Sequence, residues 1–226
     1  SFAVPPSAGM DFEQARYNMV EQQIRPWEVL DPDVLGLLFE VKREWFVPQG
    51  HAALAFADLE IPIGHGEAMM QPKVEARLVQ ELGVKPGDTV YEVGTGSGYL
   101  TALLARRARH VTSAEIHADL AARAKASLAA AGIGNVTLLE GDSARAPLGE
   151  KAYDAIVLTG STPVLPEAFA ARLNPGGRLV AVVGDAPVMT AVLVEKAGDG
   201  GLRRTELFET MLKPLVNAQA PARFRF

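Results

Sequence analysis

The stretch Val90-Tyr91-Glu92-Val93-Gly94-Thr95-Gly96-Ser97-Gly98-Tyr99 constrains the fold of this chain more than any other. An apolar run interrupted by one acid leads straight into glycines at alternate positions, and Leu100, Leu103 and Leu104 then recur at helical spacing. The pattern predicts a strand, a tight turn and the start of a helix. Glycines suit such a turn because the backbone must take positive φ and approach a ligand with no Cβ in between. The N–H groups at the start of the helix would face that ligand. A dinucleotide-binding turn has the spacing G-x-G-x-x-G. Here Gly98 follows Gly96 after a single residue, so the spacing departs from it. Ser97 has glycines as immediate neighbours rather than two residues away, which excludes a G-x-S-x-G nucleophile elbow. Glu92 lies on an otherwise apolar strand and would be costly to bury without a partner, which argues against a corner that binds nothing.

After this turn the chain alternates strand and helix. Strands are predicted at Val111 to Ala114, Val136 to Leu139, Ala155 to Thr159 and Leu179 to Val183, and helices at Ala118 to Ala131 and Pro166 to Leu173. Val188 to Val194 and Thr205 to Leu212 form a hairpin around Gly198-Asp199-Gly200-Gly201. The expected class is α/β: a doubly wound, mainly parallel, Rossmann-like sheet with C-terminal antiparallel strands. Before the sheet, Phe12 to Gln23 reads as a helix ended by Arg25-Pro26. Asp31-Pro32 supplies an N-cap and a first-turn proline to a second helix, with Leu35, Leu38 and Phe39 as its apolar face. Ala55 to Gly66 reads as a buried or ligand-covering loop, and a third helix with Val74, Leu78, Val79 and Leu82 on one side stops at Gly83. These elements make an N-terminal helical cap.

At 226 residues the chain suits one domain with a substantial core. Residues 1–9 read as a cloning remnant or disordered N-terminus before a native start at Met10, and 10–226 as one domain. Within it, 10–82 form the cap and substrate-covering loop, 83–216 the Rossmann-like core and 217–226 a tail. No apolar run approaches the length of a membrane span, and a net charge of −5 argues against nucleic acid as partner. There is no cysteine, and the four histidines lack ligand spacing, so no metal is expected. A cytoplasmic location follows.

Ligands of a doubly wound sheet sit at the carboxyl ends of its strands. Glu92 and the glycine turn lie at the first such end. Glu115 lies at the second, about twenty residues on, where an acid can accept from both hydroxyls of a ribose. Gly141-Asp142-Ser143 lies at the third and can accept from an adenine amino group, and Thr159-Gly160-Ser161 ends the fourth. Any one of these acids alone reads as an exposed strand end or a helix cap. Three on consecutive strand ends after this glycine turn argue for a ligand, and they suit a cofactor that carries a cation.

Glu92 to Gly98 resembles the first motif of the S-adenosylmethionine-dependent methyltransferases. From about Phe12 to Val216 the chain is similar to the protein-L-isoaspartate O-methyltransferase family. The likeness is carried by Glu44-Trp45-Phe46-Val47-Pro48, Asp58 to Gly66 with Ile61-Pro62-Ile63-Gly64, and Gln71-Pro72. It continues in Tyr153-Asp154-Ala155-Ile156, Leu173-Asn174-Pro175-Gly176-Gly177-Arg178-Leu179 and Lys213-Pro214-Leu215. The resemblance implies S-adenosyl-L-methionine as cofactor, S-adenosyl-L-homocysteine as product and a damaged, isoaspartyl protein or peptide as partner. It implies a cofactor site of Met69, Met70, Glu92, Gly94, Thr95, Gly96, Ser97, Gly98, Glu115, Ile116, Gly141, Asp142 and Ser143. Ile63, Gly64, Ala68 and Gly160 would face the acceptor, with Thr159 and Met70 at the reacting centre.

One departure stands out. Before the proline the family typically has Gln-Thr-Ile-Ser, where this chain has Glu67-Ala68-Met69-Met70-Gln71-Pro72. Met70 thus takes the position of a serine that lies beside the transferred methyl, and Ala68 that of a threonine. A carboxylate acceptor is ionised at neutral pH and needs no general base. That agrees with Thr159-Gly160-Ser161-Thr162-Pro163, which holds no His, Lys or Tyr. Protein repair is the first reading; a methyltransferase for a different acceptor, small ones included, and a catalytically weak cofactor-binding module are the alternatives.

Overall fold

A computed structural model describes residues 10–142 and 151–218. Asp11 caps the first helix, α1 (Phe12–Met19), by accepting from the N–H groups of Glu13 and Gln14 at 3.0 and 3.1 Å. The expected continuation to Gln23 instead widens into a π turn, Val20–Ile24, which buries both Val20 and Ile24. Helix α2 (Pro32–Glu40) is capped by Asp31, as anticipated. Its buried face is Val34, Leu37 and Leu38, whereas Leu35 is half-buried and Phe39 exposed. Two apolar stripes compete on this helix, and packing against the next two helices selects the one that sequence alone does not.

Ala55 to Gly66 is more ordered than a covering loop. A 3-10 turn at Ala52–Phe56 leads to strand β1 (Ile61–Gly64), which pairs antiparallel with β2 (Glu67–Met69). The two turn residues, His65 and Gly66, both take positive φ, 57° and 71°, which matches the twist of a tight hairpin. Pro62 is tolerated because a two-stranded ribbon consists only of edges. Helix α3 (Pro72–Leu82) ends at Gly83 in the left-handed region.

The central sheet comprises β3 (Thr89–Val93), β4 (His110–Glu115), β5 (Val136–Glu140), β6 (Tyr153–Thr162), β7 (Leu173–Asp185), β8 (Val188–Lys196) and β9 (Leu202–Glu209). Its order is β5-β4-β3-β6-β7-β8-β9, with parallel pairing from β5 to β7 and antiparallel pairing from β7 to β9. Helices α4 (Tyr99–Arg107), α5 (Ala118–Ala130) and α6 (Glu167–Ala170) connect these strands. The fold is the expected Rossmann-like, doubly wound one. The helix expected over Pro166 to Leu173 shrinks to α6, because Leu173 is drawn into the sheet opposite Tyr153 and starts β7 early. Alternation along β3 splits the core. Val90 joins the apolar cluster that holds α3, α4, α5 and residues of α1 and α2, while Tyr91 and Val93 pack on the other face with Phe169 and Ala170 of α6. No described helix is long and apolar enough to cross a membrane.

Candidate active site

The chain order reverses at β3, with β4 on one side and β6 on the other, so a crevice opens at its carboxyl end. The glycine turn sits there. The cleft floor is Glu92, Gly94, Thr95, Gly96 and Ser97, flanked by Glu115, Ile116, Gly141 and Asp142 on one side and by Thr159 and Gly160 on the other. Ile63 and Glu67 to Met70, from the β1–β2 hairpin and the residue after it, form the facing wall, and Leu212 to Val216 close the remaining edge.

The glycine turn is held from below. Gly94 has φ +94°, and a Cβ there would collide with the Thr159 hydroxyl, so only glycine fits. Gly94 and Thr95 donate to Ala114 O at 2.8 and 3.3 Å, and Gly98 donates to Thr95 O at 2.9 Å. Gly96 donates to Glu115 Oε1 at 2.8 Å. These N–H groups are therefore spent inside the protein, and Tyr99 N, the first of α4, donates to Ser97 Oγ at 3.3 Å.

Glu92 is fully buried. Its Oε1 accepts from Ser113 Oγ at 2.6 Å and from Thr101 Oγ1 of α4. Ser113 has one hydroxyl proton and gives it to Glu92, so Thr95 Oγ1 donates to Ser113 Oγ at 2.6 Å. The second oxygen, Glu92 Oε2, is buried without a partner among the described residues, and Glu92 is one of the residues that line the cleft. Burial pushes the Glu92 carboxyl up to about 8; the two hydroxyls oppose that rise, and Glu115 and Glu75 add to it. Glu115 is also buried, and its Oε2 accepts from His117 N at 3.0 Å, so both its oxygens are fixed by backbone donors.

Thr159, expected at the reacting centre, lines the cleft, but its hydroxyl is directed at Val93 O and Gly94 O, at 2.8 and 2.7 Å. It acts on the glycine turn and is a positioning residue. Of the residues expected in the site, Gly64 and Gly98 do not line the cleft, and Ser143 lies outside the described residues. Gly98 supports the site differently: it caps α4 at φ +87°, where a Cβ would press on Ala124 Cβ at 3.2 Å.

Met69 and Met70 are buried and line the cleft, and the side chain of Met70 also belongs to the main apolar cluster. The Met70 carbonyl accepts from Arg43 Nη2 at 2.9 Å. Arg43 is fully buried, pairs with Glu75 of α3 and lies over the Tyr99 ring at 5.0 Å. Burial raises the Glu75 carboxyl, and the Arg43 charge opposes that rise. Beside this pair, Arg16 forms a bidentate bridge to Glu44 at 2.6 and 2.8 Å, again fully buried. Sequence reasoning missed Arg43 and Glu75. A signal existed, since Glu75 interrupts the apolar stripe of Val74, Leu78, Val79 and Leu82.

The segment after β9 was also missed as a wall. It returns to β6: Ser161 N donates to Lys213 O at 3.0 Å, Leu215 N to Ser161 O at 2.9 Å, and Ser161 Oγ to Leu212 O at 2.9 Å. Leu215 fills the space that a Cβ on Gly160 would need. Asn217 Nδ2 donates to Asp142 Oδ2 at 2.6 Å, and Lys213 pairs with Glu67 of the hairpin. The apolar run Met211-Leu212-Lys213-Pro214-Leu215-Val216 was its sequence signal. Among the described residues the cleft is thus lined by six carboxylates, Glu60, Glu67, Glu75, Glu92, Glu115 and Asp142, and by the single cation Lys213.

Residues 14–220 match the family described as Protein-L-isoaspartate(D-aspartate) O-methyltransferase (PCMT). A protein-L-isoaspartate O-methyltransferase 1 of Rhodopseudomonas palustris (strain HaA2) is 39% identical over 206 residues, 91% of this chain and 84% of the relative. One from Anaeromyxobacter dehalogenans is 42% identical over 191 residues, 84% of this chain and 91% of the relative. A Plasmodium falciparum chain described as a protein-L-isoaspartate O-methyltransferase, solved with S-adenosyl-L-homocysteine, superimposes with a TM-score of 0.75. It shares 21% identity, covers 92% of this chain and 99% of its own, and likens the two folds. The match over nearly the whole chain and the identity of the relatives agree with the cleft's architecture: the chain belongs to the protein-L-isoaspartate (D-aspartate) O-methyltransferase family.

Proposed function

We propose that this protein is an S-adenosylmethionine-dependent O-methyltransferase that methylates isoaspartyl carboxylates of damaged proteins. The observation that carries the cofactor assignment is Glu92 Oε2, a fully buried carboxylate oxygen left without a partner among the described residues, on a residue that lines an acid-lined cleft. Such an oxygen calls for a donor or a cation. S-adenosylmethionine carries both a sulfonium and an ammonium. The acids Glu92, Glu115 and Asp142 would hold it, with Gly94 to Ser97 against it and Ile116 beside its adenine. When bound, the cofactor supplies an activated methyl group, taken by an acceptor oxygen while the electron pair of the broken bond stays on sulfur.

The rest is positioning, which suits an in-line displacement. Thr159 and Glu115 hold the glycine turn, and Arg43 holds the backbone at Met70. No proton transfer is needed for a carboxylate acceptor. The residue division proposed is 10–82 as cap and substrate cover and 83–216 as core.

A second reading, a related methyltransferase with another acceptor, is favoured by one observation: Met70 faces the cleft with a thioether, which donates no hydrogen bond. Methyl transfer from labelled cofactor onto an isoaspartyl peptide, its aspartyl twin and a metabolite extract separates the two. Labelling of the isoaspartyl peptide alone is the expected result. Labelling confined to the extract establishes the second reading, and no labelling with intact cofactor binding points to a binding module.

A further inference from the structure

A second depression adjoins the cleft and shares Glu60, Leu212, Lys213 and Pro214 with it, so the two are continuous. Its outer walls are Gln71, after β2, and Asp185 at the β7–β8 turn, with Met211 beside them. The groove therefore begins at the Met70 end of the cleft and runs outward over the surface. Its charge is one-sided. Glu60 and Asp185 are exposed, and neither is in an ion pair among the described residues. Among the described residues the single groove cation is Lys213, which is committed to Glu67. Met211 is 50% exposed and offers a flexible apolar contact that adapts to varied side chains.

We propose that this groove seats the peptide segment flanking the methyl acceptor, and that Glu60 and Asp185 select Lys or Arg in that segment. The proposal rests on a peptide acceptor in the adjoining cleft. A damaged residue is embedded in a chain, and that chain must leave the cleft along some surface. This groove opens from the acceptor end without crossing the acids that line the cofactor end. A cationic side chain there meets two uncompensated carboxylates, whereas an acidic one meets repulsion, and both effects are screened by salt.

The test uses the full chain saturated with S-adenosyl-L-homocysteine and fluorescein-labelled peptides with Lys, Ala or Glu beside an isoaspartyl or an aspartyl residue. Equilibrium anisotropy at low salt is expected to give about five- to tenfold tighter binding for Lys than for Glu flanks, in whichever flank occupies the groove. Asp185→Asn should cut that ratio by about half, and Asp185→Asn with Glu60→Gln should bring it close to one. The affinity of Asp185→Asn for S-adenosyl-L-homocysteine should stay at the wild-type value, which separates lost selection from damage. A ratio near one in the wild type, or a ratio unchanged in the double variant, overturns the proposal. If Lys flanks are preferred and the variants abolish this while isoaspartyl and aspartyl peptides bind alike, the groove stands and the isoaspartyl assignment falls. If isoaspartyl peptides are methylated regardless of flank, the assignment stands and the groove falls.

Discussion

On the sheet side of the cleft, the carboxylates Glu92 and Glu115 are held by neutral donors: hydroxyls of Ser113 and Thr101, and backbone N–H groups of Gly96 and His117. On the side of the N-terminal helices, Glu44 and Glu75 are also buried but are held by the guanidinium groups of Arg16 and Arg43. A neutral donor orients a carboxyl group without supplying a compensating charge, so the sheet-side acids are left open to a cationic ligand, which in the case of Glu92 would displace a proton. An arginine both orients and discharges its partner, and those acids stay with the architecture. The same residue type thus reads as ligand site or as structural strut according to its donor.

The largest effect should come from breaking a strut. Glu44→Ala leaves Arg16 fully buried with the exposed Glu13 as its one remaining carboxylate among the described residues, a change that costs about 3–5 kcal/mol. For a chain of this size that lowers Tm by roughly 6–20 °C. Affinity for S-adenosyl-L-homocysteine, measured where the variant is folded, should change little. A melting curve within about 2 °C of wild type would show that Arg16 finds another partner.

The counterpart on the sheet side is Glu115→Ala. It removes a charged acceptor from the ribose end of the proposed site, so binding of S-adenosyl-L-homocysteine should weaken by about 1.5–3 kcal/mol, or roughly ten- to a hundredfold. Its melting temperature should fall less than that of Glu44→Ala. Calorimetry giving unchanged affinity would remove Glu115 from the site and erase the contrast between the two sides.

Glu92 sharpens the comparison through pH. Its folded value, about 8, lies above the ordinary carboxylate value of 4.5 that the unfolded chain retains. The folded protein therefore binds more protons between those values, and the contribution of Glu92 to stability is full at low pH and lost as pH rises toward 8. Ligand-free wild type should lose stability over that window relative to Glu92→Gln, by denaturant titration at several pH values. Cation binding should expel the Glu92 proton, so calorimetry of S-adenosylmethionine near pH 7 in buffers of different ionisation heat should register release in the wild type and little in Glu92→Gln. Equal pH slopes for the two proteins would count against an uncompensated carboxylate.

How far the sequence reveals these two sides follows from the range of the contacts. The glycine turn, Glu92 and Glu115 are legible because each is local, tied to a strand end and a fixed offset from it. The side of the N-terminal helices is not. Arg16 and Glu44 are 28 residues apart, and Arg43 and Glu75 are 32 apart, so no local pattern announces either pair. The β1–β2 hairpin escapes because its strands are short and its turn, His65-Gly66, lacks the usual Asn-Gly or Asp-Gly signature. On α2 two stripes satisfy the same helical period, and only contact with α3 and α4 decides between them. The strap after β9 reads as an apolar tail until β6 is seen to bind it.

Met70 joins the two sides, because its carbonyl is held by the buried Arg43 while the residue lines the cleft. Its effect should be the smallest and the most specific. Met70→Ser places a hydroxyl on a residue whose carbonyl Arg43 already anchors, so a donor gains access to the acceptor without a large backbone shift. A charge-assisted hydrogen bond has a ceiling of about 1.5–3 kcal/mol, and a serine surrounded by residues adapted to methionine should realise part of it. The expected gain is about three- to tenfold in kcat/KM for an isoaspartyl peptide, larger when Ala68→Thr is added, from a low wild-type rate. Removing the buried thioether also leaves a cavity, so the variant should melt below wild type even as its activity rises. Opposite signs for activity and stability are what distinguish a residue facing an acceptor from one that only packs. High wild-type activity on isoaspartyl peptides, undiminished and unimproved in Met70→Ser, would assign Met70 to the core and return the acceptor contacts to the backbone.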